Sequence, residues 1–177
     1  SMHFDYIIIG AGSAGCVLAA RLSQNPENSV CLLEAGGPDN SVLIHAPIGV
    51  AAMLPTKINN WAFKTIPQKG LNGRQGYQPR GKTLGGSSST NAMLYVRGNK
   101  WDYDNWANLG NEGWAYKDVL PYFKKSEGNE VYSDEFHNNN GPLGVSNPTD
   151  ASNLNNMFFS ACEEHGIPFV DDFNGAK

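Results

Sequence analysis

Six residues near the start of the chain, Gly10-Ala11-Gly12-Ser13-Ala14-Gly15, limit its fold more than any other feature. Glycines at this spacing permit a tight turn, close approach of backbone to a ligand, and close packing of the next helix on a strand. The flanking residues agree. Phe4 to Ile9 is β-branched and aromatic and reads as a buried strand, while Cys16 to Leu22 resumes as a helix. Val30 to Leu33 is a second short apolar run that ends at Glu34, with Gly36-Gly37-Pro38 as a loop behind it. Together they form one β-α-β unit of the size used for nucleotide binding. In that setting a pyrophosphate meets the helix N-terminus, and an acidic side chain closing the second strand accepts hydrogen bonds from a ribose. The contacts expected from this half are Gly10, Gly12, Ser13, Gly15, Glu34 and Ala35. The pattern by itself leaves NAD and FAD both open.

A formal charge of -4 over 177 residues gives no basic excess to neutralise a phosphate backbone, so nucleic acid is not an expected partner. The 40% hydrophobic content allows a domain with a real core. Cys16, Cys31 and Cys162 are odd in number and lack CxxC spacing, which suggests neither a disulfide framework nor a zinc site. Reduced thiols in a cytoplasmic protein are the simplest reading. Tyr6 to Leu22 is apolar, but it has no basic leader, is broken by glycines and is too short to span a bilayer. Ser1 ahead of Met2 is expected to be a cloning remnant.

From Gly36 to about Gly98 no sustained period is visible, a length of loop that calls for a large ligand to order it. Trp101 to Leu109 and Trp114 to Ser126 carry helical spacing, with Tyr116, Val119, Leu120 and Phe123 on one face and a break or turn expected at Pro121. Tyr132 to Asn140 is polar and Asn-rich and reads as a linker or exposed loop, with a domain boundary near it. Gly141 to Ser146 reads as a strand. Ser152 is placed to cap a helix whose Leu154, Met157, Phe158, Ala161 and Cys162 share a face, and Gly166 and Pro168 stop it.

The second glycine-rich cluster, Arg80-Gly81-Lys82-Thr83-Leu84-Gly85-Gly86-Ser87-Ser88-Ser89-Thr90-Asn91-Ala92, is poor in bulky side chains, so its amides can approach a planar, partly anionic ring system. It also resembles the signature of the glucose-methanol-choline (GMC) oxidoreductase family. Tyr95-Val96-Arg97-Gly98, Asp102-Tyr103-Asp104, Trp106, Val119-Leu120-Pro121-Tyr122-Phe123, Gly141-Pro142-Leu143 and Asn147-Pro148 resemble that family too, most closely its bacterial choline-dehydrogenase-like branch. The resemblance covers essentially the whole chain. It implies an α/β fold: a Rossmann-like FAD-binding domain of GMC type, incomplete, followed by the start of an α+β substrate domain. On this reading residues 1–138 belong to the FAD-binding domain and 139–177 begin the substrate-binding domain of a longer enzyme. The further cofactor contacts it implies are Arg80, Leu84, Gly85, Gly86, Ser87, Asn91, Ala92, Met93 and Leu94, with Asn91 a polar contact near the flavin ring or its ribityl chain.

Thr90 departs from the aliphatic residue more usual in the family. Members that bind flavin covalently use a histidine there, and a threonine hydroxyl cannot form that link, so the expected FAD is non-covalent. Were Thr90 to reach the ring as a donor, it would tune the redox potential.

Two motif matches are decoys. Gly76 to Thr83 fits the Walker A pattern, but no apolar strand precedes it and Leu84-Gly85-Gly86 is a poor helix start. Ala11 to Gly15 is a relaxed serine-hydrolase elbow without a credible acid and histidine after it, so Ser13 reads as a backbone phosphate contact. Among the histidines, His3 is terminal, His45 reads as structural, His137 lies in a polar loop and His165 closes a helix. Trp61 and Phe63 read as core residues or as flanks of the cofactor.

The resemblance implies oxidation of an alcohol by hydride transfer to flavin N5, while a histidine near the end of a much longer chain takes the hydroxyl proton. No catalytic residue is expected in this segment, so alone it should not turn over. Nor should it fold well alone, since two parallel strands leave faces and edges to be covered. The expected partners are an alcohol such as choline, the remainder of the same enzyme, and oxygen or a membrane quinone as acceptor. The last would place it at the inner membrane's cytoplasmic surface. A flavin-fold lyase and a non-catalytic nucleotide-binding module are the alternatives.

Overall fold

A computed structural model describes residues 2–149 and 152–176, so Ser1, read above as a cloning remnant, lies outside the described residues. The chain forms two compact units, 1–94 and 95–177. The domain boundary expected at 138–139 falls within the second of them.

In the first unit, β1 (Tyr6–Ile9) pairs in parallel with β2 (Val30–Leu33), Tyr6 opposite Val30 and Ile9 opposite Leu33, and α1 (Ser13–Leu22) crosses between them. The strands are short because the run of β-branched residues ends where Gly10 takes a positive φ of 94°. The helix begins at Ser13 rather than Cys16, inside the motif, because Gly15 is a helical residue buried against the strand rather than part of the turn. A β-carbon on Gly15 would lie 1.9 Å from the Gly10 carbonyl oxygen.

The stretch expected to be loop-rich holds small elements: α2 (Val42–His45), α3 (Gly49–Met53), and an antiparallel pair of β3 (Phe63–Lys64) with β4 (Tyr77–Gln78). Ser41 caps α2, accepting from the Leu43 amide. Asn60 organises the rest: its side-chain amide donates to the Thr56 carbonyl at 2.8 Å, and its Oδ1 accepts from the Arg80 and Ala62 amides. Polar side chains bonding backbone replace a hydrophobic period here, which explains why no period was visible.

The second unit packs α4 (Lys100–Asn108) on α5 (Tyr116–Ser126) and pairs β5 (Glu127–Asn129) in parallel with β6 (Leu143–Val145), before α6 (Asn153–Glu164). Tyr116, Val119, Leu120 and Phe123 form the less exposed face of α5, as their spacing requires. Pro121 does not break that helix. Its ring removes one amide but keeps a helical φ, and it sits on the exposed side while the apolar face stays packed. Ser152 caps α6, accepting from the Leu154 amide, and Gly166 leaves it with φ 76°. The Asn-rich stretch is a loop, exposed at residues 133–135 and 139–140, that forms the crossover between β5 and β6; its middle turns inward, with Asn138 donating to the Lys124 carbonyl and His137 only 2% exposed.

Little apolar surface is buried. The described core residues are Ile8, Ala11 and Met53, whereas Ile9, Leu154 and Phe158 are largely exposed. The accessible surface is 13186 Å². Even two separate compact bodies, each of half the chain's 19.2 kDa, would together expose only about 10,200 Å².

Candidate functional site

The first unit brings its two glycine-rich turns into direct contact through Ala11. The Ala11 amide donates to Glu34 Oε2 at 2.8 Å, and its carbonyl accepts the Gly85 amide at 2.7 Å. Ala11 is fully buried, so a small residue is required between the first two glycines. Glu34 Oε1 accepts the Gly36 amide at 2.8 Å. Each of its oxygens therefore holds one backbone N–H and keeps a lone pair for a further donor. Thr83, also fully buried, donates from its hydroxyl to the Gly37 carbonyl, and the Leu84 amide donates to that same carbonyl. The end of β2 and the second turn are thereby closed on one another.

Gly85 and Gly86 reach this seat with φ of 85° and 55°, values that favour glycine. A 3-10 turn, Gly86–Ser89, follows, and a β-carbon on Gly86 would come 3.0 Å from Gly12 Cα. Open space lies on the other side: β-carbons on Gly10 and Gly12 would meet nothing within 4 Å. No side chain caps α1 and its first turn holds no acid, so its leading amides are open to an anionic ligand. The donor set and the space fit a dinucleotide pyrophosphate.

The remaining expected residues lie around the second turn. Ser87 accepts the Gly81 amide, and Asn91 Oδ1 accepts the Met93 amide, holding Met93 at φ 59°. Arg80, Ser87, Thr90 and Asn91 line one cleft of about 200 Å³ with Met53 and Asn60. Ala35, Leu84, Ala92, Met93 and Leu94 are exposed beside these turns in sequence, Leu94 at 83%. Trp61 and Phe63 are not core: they stack at the surface with centroids 5.5 Å apart, and Lys82 lies over the Trp61 ring.

Sequence reasoning did not single out Ala11, Thr83 or Asn60. For Ala11 a signal existed, since a small residue recurs inside the motif; for Asn60 and Thr83 the signal is tertiary. In the second unit His137 lies in a polar loop, as its neighbours suggest, but its burial between Glu127 and Asp172 left no mark in the sequence. His165 is where expected, its Nδ1 against the Ala161 carbonyl at the end of α6.

Comparison with known proteins agrees with this geometry. An alcohol dehydrogenase [acceptor] from Pseudomonas putida is 51% identical over 174 residues, 98% of this chain and 32% of that protein. An oxygen-dependent choline dehydrogenase from Photobacterium profundum is 45% identical, across 97% of this chain and 31% of its own length. Among solved structures, pyridoxine 4-oxidase from Mesorbium loti superposes with a TM-score of 0.88 at 35% identity, covering 97% of this chain and 34% of the other. The chain thus spans about a third of the length of the relatives it matches. The family model for GMC oxidoreductase matches residues 4–177, and with the two joined glycine turns already in view, the chain belongs to the GMC oxidoreductase family and corresponds to its N-terminal region.

Proposed function

We propose that this chain is the FAD-binding N-terminal part of a longer enzyme that oxidises an alcohol to an aldehyde or ketone. Members of the GMC family bind FAD. The observation that carries the proposal is the Ala11 junction, which fixes two glycine turns, a carboxylate and an open helix N-terminus as one cradle.

In this reading the pyrophosphate lies on the amides of Gly12 and Ser13, with Gly10 and Gly15 giving the close approach of turn and helix. Glu34, next to Ala35, uses its remaining lone pairs on the adenosine ribose. Arg80, Leu84, Gly85, Gly86, Ser87, Asn91, Ala92, Met93 and Leu94 lie along the flavin and its ribityl chain. FAD is held without a covalent bond, since Thr90 in the cleft offers no imidazole. Bound flavin supplies the electron sink for the hydride that leaves the alcohol carbon.

The proton acceptor comes from the remainder of the longer protein. His137 is occupied by two carboxylates and His165 by a helix carbonyl, which leaves neither placed as a base. The substrate is a primary alcohol of the choline type, by likeness to the relatives named above, and the acceptor is oxygen or a quinone. Residues 1–138 serve the cofactor and 139–177 open the substrate-binding part. Among the described residues no helix is long and apolar enough to cross a membrane; the proposed location is the cytoplasm, peripheral to the inner membrane if a quinone is used.

The test uses the full-length protein that carries this sequence. It should be yellow, release its FAD on acid precipitation, and bleach when choline or another primary alcohol is added without oxygen. Protein that stays colourless with excess FAD overturns the cofactor assignment, flavin retained in the precipitate overturns non-covalent binding, and no bleaching by any alcohol favours a lyase.

A further inference from the structure

Four ionisable side chains distant in sequence meet inside the second unit. Arg97 donates from Nη2 to Glu127 Oε2 at 2.5 Å and from Nη1 to the Phe136 carbonyl. Glu127 Oε1 accepts from Asn129 Nδ2 and faces His137 Nδ1 at 2.9 Å. On the far side of the ring, His137 Nε2 faces Asp172 Oδ2 at 2.7 Å. Glu127 is fully buried and His137 nearly so.

Hydrogen-bond accounting decides the protonation of this ring. An ionised carboxylate only accepts, and a neutral imidazole carries a single N–H. With carboxylate oxygens at both nitrogens, a neutral ring would set one lone pair against another. Charge accounting agrees, because Arg97 cancels only one of the two carboxylates and an imidazolium brings the group to zero. Burial is the strongest single influence on His137 and acts to lower its pKa. The hydrogen bonds and charges of Glu127 and Asp172 together outweigh it, and the pKa lies above the ordinary histidine value.

The same turn is stitched further. Asn174 donates its amide to Asp172 Oδ1, accepts the Arg97 amide on Oδ1 at 2.7 Å, and donates from Nδ2 to the Tyr95 carbonyl at 2.9 Å. We propose that His137 is a doubly protonated latch joining β5 to the 172–174 turn and, through Asn174, to residues 95–97, closed while the ring carries both protons and released when it loses one. The groups facing the ring are Glu127 from β5, Asp172 from the turn, Arg97 behind Glu127, and the Tyr132 ring at 5.2 Å. In its own loop, Asp134 accepts the His137 amide, and Lys124 of α5 donates to the Asp134 and Glu135 carbonyls. Because the folded pKa is raised, the latch contributes fully below the ordinary histidine value and is lost as pH climbs through the folded one.

Hydrogen exchange read by mass spectrometry on the full-length protein tests this, with rates corrected for their intrinsic pH dependence. Peptides covering 171–176 and 95–98 should lose protection roughly tenfold as pH rises through the His137 transition, while β1 and β2 peptides do not change. His137→Gln, whose amide donates from one end only, should leave both peptides open at every pH. Asp172→Asn removes one of the facing charges and should move the step to lower pH, and this variant suffices if the first does not fold. A wild-type protein with no step, or a step that stays in place in Asp172→Asn, overturns the latch.

Discussion

The two units are held together in opposite ways. In the first, the decisive contacts are between backbone groups: glycines let strand, helix and turn come close, and the one charged side chain at the centre, Glu34, clamps two amides. In the second, the centre is a set of buried charges, and the backbone is arranged around Arg97, Glu127 and His137. A backbone cradle can leave amides open to a ligand without stranding a charge. A charged centre must be filled by its own partners, since removing one leaves another uncompensated.

The strongest way to break this contrast is Arg97→Met in the full-length protein. It leaves Glu127 short of its main counter-charge and should cost about 3–5 kcal/mol in chemical denaturation. A loss below about 1 kcal/mol would mean that the second unit does not depend on its charges. Next in size, Gly15→Ala sets a methyl against the Gly10 carbonyl and should cost roughly 3 kcal/mol, with loss of the flavin absorption band. Glu34→Gln sharpens the comparison. If the carboxylate is a clamp as well as a ribose contact, FAD-free protein should lose about 2 kcal/mol, measured by thermal melting; unchanged FAD-free stability would reduce Glu34 to a ligand contact alone. Smallest is Ser152→Ala, a cap outside both centres, expected to cost about 1 kcal/mol and to fray the start of α6 in exchange measurements.

The contrast also explains what was legible in the sequence. The β1-α1-β2 unit could be read because its constraints are local: three glycines, two apolar runs and a closing acid within the first 34 residues. The cap at Ser152 and the stop at Gly166 are local in the same sense. Residues that work across long separations left no such mark. Arg97 meets Glu127 and Asn174, and Thr83 meets Gly37, through contacts that no periodicity encodes. Pro121 misled because its local cost is real but is outweighed by packing of the opposite face. The Asn-rich loop is exposed for most of its length, as its polarity suggests, but nothing local marks His137 as the buried exception, because its carboxylate partners are 10 and 35 residues away.

The seat formed where Thr83 returns to Gly37 has a practical consequence. The chain leaves the cradle at one point and re-enters it at the same point, so everything between is an excursion pinned at its neck. Its β3–β4 hairpin turns through Asn72-Gly73, with φ of 51° and 77°. Lengthening such a tip raises only the entropy of closing an already long loop, roughly 0.6 kcal/mol for a doubling. An insertion at this tip is therefore expected to leave the Ala11–Glu34–Gly85 junction in register.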